Sequence, residues 1–402
     1  MDTINNAKLN ELKNSNKRIK VAHISDTYYP RTNGVAVYVD SCTNYMINKG
    51  FDVIILAAQY PIEDKRPKRP NVKIKRFRAY RLFFTTNKDE RTIYFSEKKN
   101  IYKFLYEENP DIVYVQTEFL LGIYALKWAK RNNKLIIMIA HTYWAPYIKY
   151  YAPYLPLSFC HFLVNHYLKW YFSAADILIT STQEMEDFLV KECKIKNQIH
   201  RMFIGIDETD FQNFDKEKEK AEMLELYPKL KDKKVLLFVG RICKEKNVDF
   251  LLKAMKKILE YRKDIELLLV GGGHYMQYYM EMAESLGISE YTTFCDAVEH
   301  SKIRKYYALS DLFVFPSVTE TQGLVTTESL YLGIPVVAVS ALGTKTVLKG
   351  DKGGFLVDEN DVEFAEKVNL LLDNKDIYEQ KKKEALERGK SLSFSSNYTL
   401  FS

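Results

Sequence analysis

The sequence predicts an α/β protein built from two facing Rossmann-like domains, and three observations carry that reading. Short apolar runs alternate with helical stretches in two separate series. At 402 residues the chain exceeds what one hydrophobic core usually supports. Between the two series lies the charged stretch "DKEKEKAEMLELYPKLKDKK", which reads as the break. The expected domains are therefore 1–212 and 213–402.

The first series opens with "IKVAHIS" as a strand, "VYVDSCTNYMINKG" as a helix ending at Gly50, and "FDVIILAA" as the next strand. Further strands are expected at "DIVYVQ", "KLIIMIA", "DILIT" and "IHRMFI". The second series runs through "KKVLLFVG", "IELLLVGGG", "DLFVFPS" and "PVVAV". In open parallel sheets the ligand sits at the carboxyl ends of the strands, where loops enter the next helix. Those loops are where site residues are expected.

Composition removes several function classes. The five cysteines, at 42, 160, 193, 243 and 295, form no C-x-x-C pair and suit buried thiols in a reducing compartment. The N-terminal stretch lacks the apolar block of a signal peptide, and no apolar run reaches membrane-spanning length, so a cytoplasmic location is expected. No G-x-G-x-x-G follows a strand, since "GGGHYM" does not fit, and no G-x-x-x-x-G-K-[ST] occurs. A dinucleotide oxidoreductase and a P-loop enzyme are thereby disfavoured. Charge is uneven: residues 1–210 hold 31 basic against 22 acidic side chains, residues 211–402 hold 28 against 30. Nine basic residues fall between Lys65 and Arg81, interleaved with Phe77 and Tyr80 and followed by Phe83 and Phe84, an anion-attracting segment. No recognition module accompanies it, so no nucleic-acid partner is expected.

The stretch "PSVTETQGLVTTESLYLGIPVVAV" places Glu320 and Glu328 on either side of Gly323. A helix starting at Gly323 and running to Gly333 would point the backbone N–H groups of Gly323, Leu324 and Val325 outward, a ready site for phosphate. Carboxylates beside a phosphate need hydroxyl donors of their own, and sugars supply them, ribose on one side and a transferable hexose on the other. The plain alternative is that Glu320 caps the helix and Glu328 is solvated. "FVGRICKEKN" puts Arg241 and Lys246 in the loop after the first strand of the second series, where two cations can neutralise a nucleotide diphosphate and stabilise it as leaving group. In the first series, Gly34 follows strand one, where a side chain would obstruct a diphosphate, and His141 sits at the end of a buried strand.

Taken together, "GRICKEKN", the "VGGG" at 270–273, the Glu320-x7-Glu328 spacing followed by "GIPVV", Gly34 and the histidine of "HTYW" resemble the retaining glycosyltransferases of family four, which have the GT-B fold. The resemblance spans nearly the whole chain. It implies that Arg241 and Lys246 hold the diphosphate, Glu328 the ribose and Glu320 the donor sugar, with Gly34 under the diphosphate and His141 near the reacting carbon. It also implies an acceptor-side N-terminal domain and a donor-binding C-terminal one. No D-x-D triplet exists to hold a divalent ion, so no metal or other cofactor is expected.

"TETQG" with "HTYWAPYIKYY" is further similar to bacterial enzymes that put glucose or galactose on diacylglycerol. This implies a lipid acceptor, an anionic membrane surface as partner, and a peripheral position on the inner face. Lys65, Arg66, Lys68 and Arg69, with Tyr143 and Tyr147, are then expected on the acceptor or membrane side. "PLSFCHFLVNHYLKWYF" is either a membrane-lying or a buried amphipathic helix. A soluble or polysaccharide acceptor, or a mannosyltransferase using GDP-mannose, stands as the alternative. Three features depart from the family pattern: His274 where proline is usual, "FIGID" without its proline though Asp207 remains, and "FSSNYTLFS" where a last helix normally crosses back.

Overall fold

The computed structural model describes residues 7–397 except 16, 32, 65, 67, 68, 83–89, 145–155 and 204. The chain divides into two compact units, the first ending at Phe203 and the second ending at Asn397. That division falls ahead of the boundary expected after residue 212, and the structure gives the reason. Ile206 forms a parallel bridge with Ser393, and Phe394 N donates to Ile206 O at 3.1 Å, so the segment after residue 204 is stitched to the second unit. The charged stretch is no linker. It forms the helix Lys216–Leu226, capped by Asp215, whose side chain accepts from Lys218 N, and held to the helix His300–Leu309 by Arg304–Glu219 and Lys305–Glu222 ion pairs.

In the first unit the strands are β1 (Lys20–Ser25), β2 (Asp52–Ala58), β3 (Val72–Phe77), β4 (Ala79–Arg81), β5 (Arg91–Ile93), β6 (Ile112–Val115), β7 (Leu135–Ala140), β8 (Ile177–Thr180) and β9 (Ile199–Arg201). Seven of them form one sheet in the order β3-β2-β1-β6-β7-β8-β9, with every pairing parallel. β4 and β5 make a separate antiparallel pair. The central strands are buried along their whole length, which is why they read as continuous apolar runs rather than alternating ones.

The second unit carries β10 (Lys234–Val239), β11 (Ile265–Val270), β12 (Thr292–Cys295), β13 (Leu312–Phe315), β14 (Val336–Val339) and β15 (Gly354–Val357). They form a parallel sheet in the order β12-β11-β10-β13-β14-β15. In both units the strand order reverses once, between β1 and β6 and between β10 and β13. Loops leaving the two strands at such a reversal go to opposite faces and open a crevice at their carboxyl ends.

The first glycine of "VGGG", Gly271, is explained where β11 leaves the sheet beside β10. A Cβ on Gly271 would lie 1.9 Å from Gly240 O, and Gly271 has φ +149. The exits of β10 and β11 are pressed together, and only a residue without a side chain fits.

Candidate functional site

In the second unit the loops after β10 and β13 meet. Lys246, in a short helical turn after β10, sets its Nζ 2.5 Å from Glu320 Oε2, which lies in the loop after β13. Both side chains are largely withdrawn from solvent. Burial alone would raise the Glu320 carboxyl, but Lys246, the Gly323 N–H and Arg241 outweigh it and hold the group below the usual carboxylate range. Arg241 is more exposed and pairs with Glu245 at 2.6 Å. Thr319 Oγ1 donates to Glu245 O at 3.0 Å, a further tie between the two loops. Each expected phosphate-binding cation is therefore matched by a carboxylate, a pairing the sequence alone did not show.

Gly323 follows with φ +67, a left-handed conformation that glycine adopts without strain, and caps the helix Leu324–Tyr331. Thr327 N donates back to Gly323 O, so the helix starts where the glycine predicts it. Glu328, in its second turn, is buried and not a solvated acid. Its Oε1 lies 3.0 Å from His300 Nε2, and its Oε2 accepts from Tyr307 Oη at 2.9 Å. His300 Nδ1 lies 3.6 Å from Asp210. Neither His300 nor Tyr307 was identified in the sequence. The available signal is their spacing of seven in the helix His300–Leu309, which puts both on one face.

At the corresponding place in the first unit, Gly34 opens the helix Gly34–Asn48. Asn33 caps it, accepting from Ala36 N at 2.9 Å. His141 directly follows β7 and is buried, which pushes its imidazole down to about 3. It is neutral at physiological pH. Gln116, just after β6, reaches His141 Nε2 with its Oε1 at 3.0 Å. Beside them, Asp26 after β1 accepts from Thr117 Oγ1 at 3.0 Å and from Thr92 Oγ1 at 3.3 Å. Burial nevertheless raises it to about 7, and it raises Glu118 to about 8. These buried acids carried no motif and were missed.

The basic segment differs from expectation. Lys65, Lys68 and Tyr147 lie outside the described residues. Arg66 pairs with Asp64 at 2.9 Å and Asp40 at 3.0 Å, and Arg69 with Asp40 at 2.5 Å and Tyr28 Oη at 2.8 Å. Lys73, Arg76 and Arg78 are paired with Glu108, Asp64 and Glu97. Acids distant in sequence are folded onto the run, so much of its charge is compensated within the unit. Tyr143 packs edge-on against Phe188 at 5.0 Å between ring centres.

The aromatic stretch forms the helix Leu157–Phe172. Cys160, Leu168, Tyr171 and Phe172 face the core, while Leu157, Phe159, Phe162, Leu163 and Trp170 are exposed. An open depression of about 350 Å³ is lined by Phe162, Leu163, His166, Tyr167 and Trp170. Among the described residues no helix is long and apolar enough to cross a membrane.

Residues 219–388 match the family of glycosyl transferases group 1, and residues 32–210 match glycosyltransferase family 4. The alpha-monoglucosyldiacylglycerol synthase of Streptococcus pneumoniae is 28% identical over 330 residues, covering 80% of this chain and 71% of that protein. The sulfoquinovosyl transferase SQD2 of Arabidopsis thaliana is 28% identical over 276 residues, 67% of this chain and 51% of its own length. Among solved structures, Anabaena HepE in complex with UDP superposes with a TM-score of 0.73 at 13% identity, covering 94% of this chain and 97% of that one.

Proposed function

The chain belongs to the family 4 glycosyltransferases of the GT-B fold, and from that premise we propose that it transfers a hexose, glucose or galactose, from a nucleotide diphosphate sugar to a membrane lipid, with diacylglycerol the favoured acceptor and the anomeric configuration retained. The observation that carries the donor half is the Lys246–Glu320 pair at the β10/β13 reversal, beside the helix start at Gly323 and next to Arg241. Cations, helix N–H groups and a carboxylate at one point suit a ligand that is anionic at one end and hydroxylated at the other. Arg241, Lys246 and the N–H groups of Gly323, Leu324 and Val325 take the diphosphate. Glu328 accepts from ribose, Glu320 from the donor sugar, and His141 meets that sugar near the reacting carbon. Gly34 lies under the diphosphate. The residues themselves neutralise the leaving group, with no metal ion or cofactor.

The lipid half rests on the exposed apolar face of Leu157–Phe172 and on the diacylglycerol named in the S. pneumoniae relative. A helix that is apolar on its outer side as well as its core side needs a second apolar environment, and a bilayer surface provides one. The protein then works at the inner face of the membrane, with Tyr143, Tyr147, Lys65 and Lys68 on the acceptor side. The internal pairing of Arg66 and Arg69 is the observation that favours the second reading, a soluble or polysaccharide acceptor. Purified protein incubated with UDP-glucose, UDP-galactose and GDP-mannose against diacylglycerol, phosphatidylinositol and soluble sugars decides between them. A glycosylated diacylglycerol is the expected product; a soluble disaccharide or a mannoside would replace the reading.

A further inference from the structure

The acid buried in the helix Leu324–Tyr331 is held from a neighbouring helix. Glu328 is 2% exposed, and a carboxyl group so withdrawn from water needs protein partners on its oxygens. Two reach it from the helix His300–Leu309: His300 Nε2 lies 3.0 Å from Oε1, and Tyr307 Oη lies 2.9 Å from Oε2. The two are not equal. Tyr307 has one hydroxyl hydrogen and a second acceptor at the same 2.9 Å, the carbonyl oxygen of Val325, so it serves Glu328 only part of the time. An acid that accepts from ribose is a carboxylate, which never donates, so its contact with His300 requires a hydrogen on Nε2. On the other side of the ring, Nδ1 lies 3.6 Å from Asp210 Oδ2, in the short turn Glu208–Phe211. Asp210, His300, Tyr307 and Glu328 all belong to the second unit.

We propose that His300 is a positioning residue for recognition of the nucleotide's ribose: its Nε2–H fixes Oε1 of Glu328, so that the lone pairs left on the carboxylate point where the ribose hydroxyls arrive. This rests on the reading that places Glu328 at ribose. A carboxylate oxygen has two acceptor positions, so the bond from His300 leaves Oε1 able to take a hydroxyl as well. Bonds to both oxygens from one helix fix the plane of the group. Without His300 the carboxylate is left to a shared hydroxyl and turns about its terminal bond, where the torsional wells are broad. His300 touches no substrate in this account. Its effect is confined to ligands that carry ribose hydroxyls, a signature that general support of the fold does not have.

The test compares binding of nucleoside diphosphates with and without ribose hydroxyls to the full-length protein. UDP is set against 2′,3′-dideoxy-UDP and GDP against 2′,3′-dideoxy-GDP, and the base that binds more tightly is read. The wild type should prefer the ribose form about thirtyfold, the scale of a hydrogen bond to a charged group. His300→Ala should cut that preference to under about fivefold by weakening the ribose form, with the dideoxy form held within about twofold. His300→Gln, whose amide nitrogen falls near the place of Nε2 and donates to Oε1, should keep most of the preference. If His300→Ala does not fold, His300→Asn, whose amide is too short to reach Oε1, takes its place. A wild-type preference that the variant leaves intact overturns the proposal, and so does a variant that loses both forms equally. In wild-type protein labelled with ¹⁵N-histidine, with His300→Gln to identify the signal, Nε2 should carry a hydrogen at pH 7; a bare Nε2 overturns the proposal without any binding measurement. Failure of the underlying reading looks different: the wild type then shows no preference for ribose, or Glu328→Gln keeps it, and the proposal falls with that reading.

Discussion

The two units put polar residues at the same topological point and treat them in opposite ways. At the β10/β13 reversal the side chains are ions, partly open to solvent and already matched, Lys246 to Glu320 and Arg241 to Glu245. At the carboxyl ends of β1, β6 and β7 they are buried, and burial disfavours their charged forms: His23 and His141 are pushed down to about 3, Asp26 is raised to about 7 and Glu118 to about 8. A matched ion keeps its charge at modest cost and can exchange its partner for a charged ligand. A desolvated neutral group cannot become charged cheaply, but it hydrogen-bonds strongly. The second unit is therefore suited to an anion, and the first to uncharged hydroxyls.

Lys246→Ala should strain that contrast most. It removes a cation and leaves Glu320 without its partner, so kcat/KM for the nucleotide sugar should fall by about 10³, and a loss under about fivefold would remove Lys246 from the donor site. Next come the two acids. Glu320→Gln should lower kcat by about 10² with little change in KM, whereas Glu328→Gln should mainly raise donor KM; if both leave kcat/KM within about twofold, the acids are structural. Smaller is the effect of the outer helix face. Phe162→Ser with Trp170→Ser should weaken binding to vesicles containing anionic lipid about tenfold while nucleotide affinity stays put, and unchanged sedimentation with vesicles would shift the acceptor reading to a soluble one.

The neutral side of the comparison is sharpened by pH. The folded values of Asp26 and Glu118 lie above their ordinary range, so the stability tied to their protonated forms is complete below about pH 4 and is lost as pH rises through about 7 to 8. His23 and His141 run the other way, complete above about 6.5 and lost as pH falls toward about 3. Between about pH 4 and 6.5 the two trends offset. Glu118→Gln should accordingly raise the melting temperature at pH 9, by the equivalent of about 1–2 kcal/mol, and change it little at pH 5. Equal shifts at both values would mean that the carboxyl is hydrated in the folded protein. The smallest expected effect is that of chelation. On the proposed reading, in which Arg241 and Lys246 carry the diphosphate charge, EDTA should leave turnover unchanged, and a loss reversed by magnesium would reassign their roles.

Much of this was legible in the sequence because parallel strands between helices are buried on both faces and show as short apolar runs. The same logic placed Glu320, Lys246 and His141 in loops at strand ends. What the sequence withheld was pairing. Strand order brings β1 beside β6, so His23 meets Gln116 across 93 positions, and Lys246 meets Glu320 across 74. No local pattern encodes such distances. The basic segment misled for a related reason: the run "KRPKRPNVKIKR" is visible as charge, but Asp40, Glu97 and Glu108, which help compensate it, lie outside the run. The division falls ahead of residue 212 because Ile206 bridges Ser393 and bonds Phe394, a pairing between distant positions that the composition of the charged stretch does not reveal.

The helix Leu157–Phe172 also carries an optical label. The chain has three tryptophans. Trp128 is buried in the first unit's core and Trp144 is partly covered, whereas Trp170 is 54% exposed beside Phe162 and Leu163. Solvent relaxation shifts the emission of an exposed indole to the red, and transfer into an apolar phase shifts it back. Whatever settles on that face will therefore be reported by the native protein's own fluorescence. Iodide quenching will be dominated by the same side chain, so docking can be followed in real time without attaching a dye.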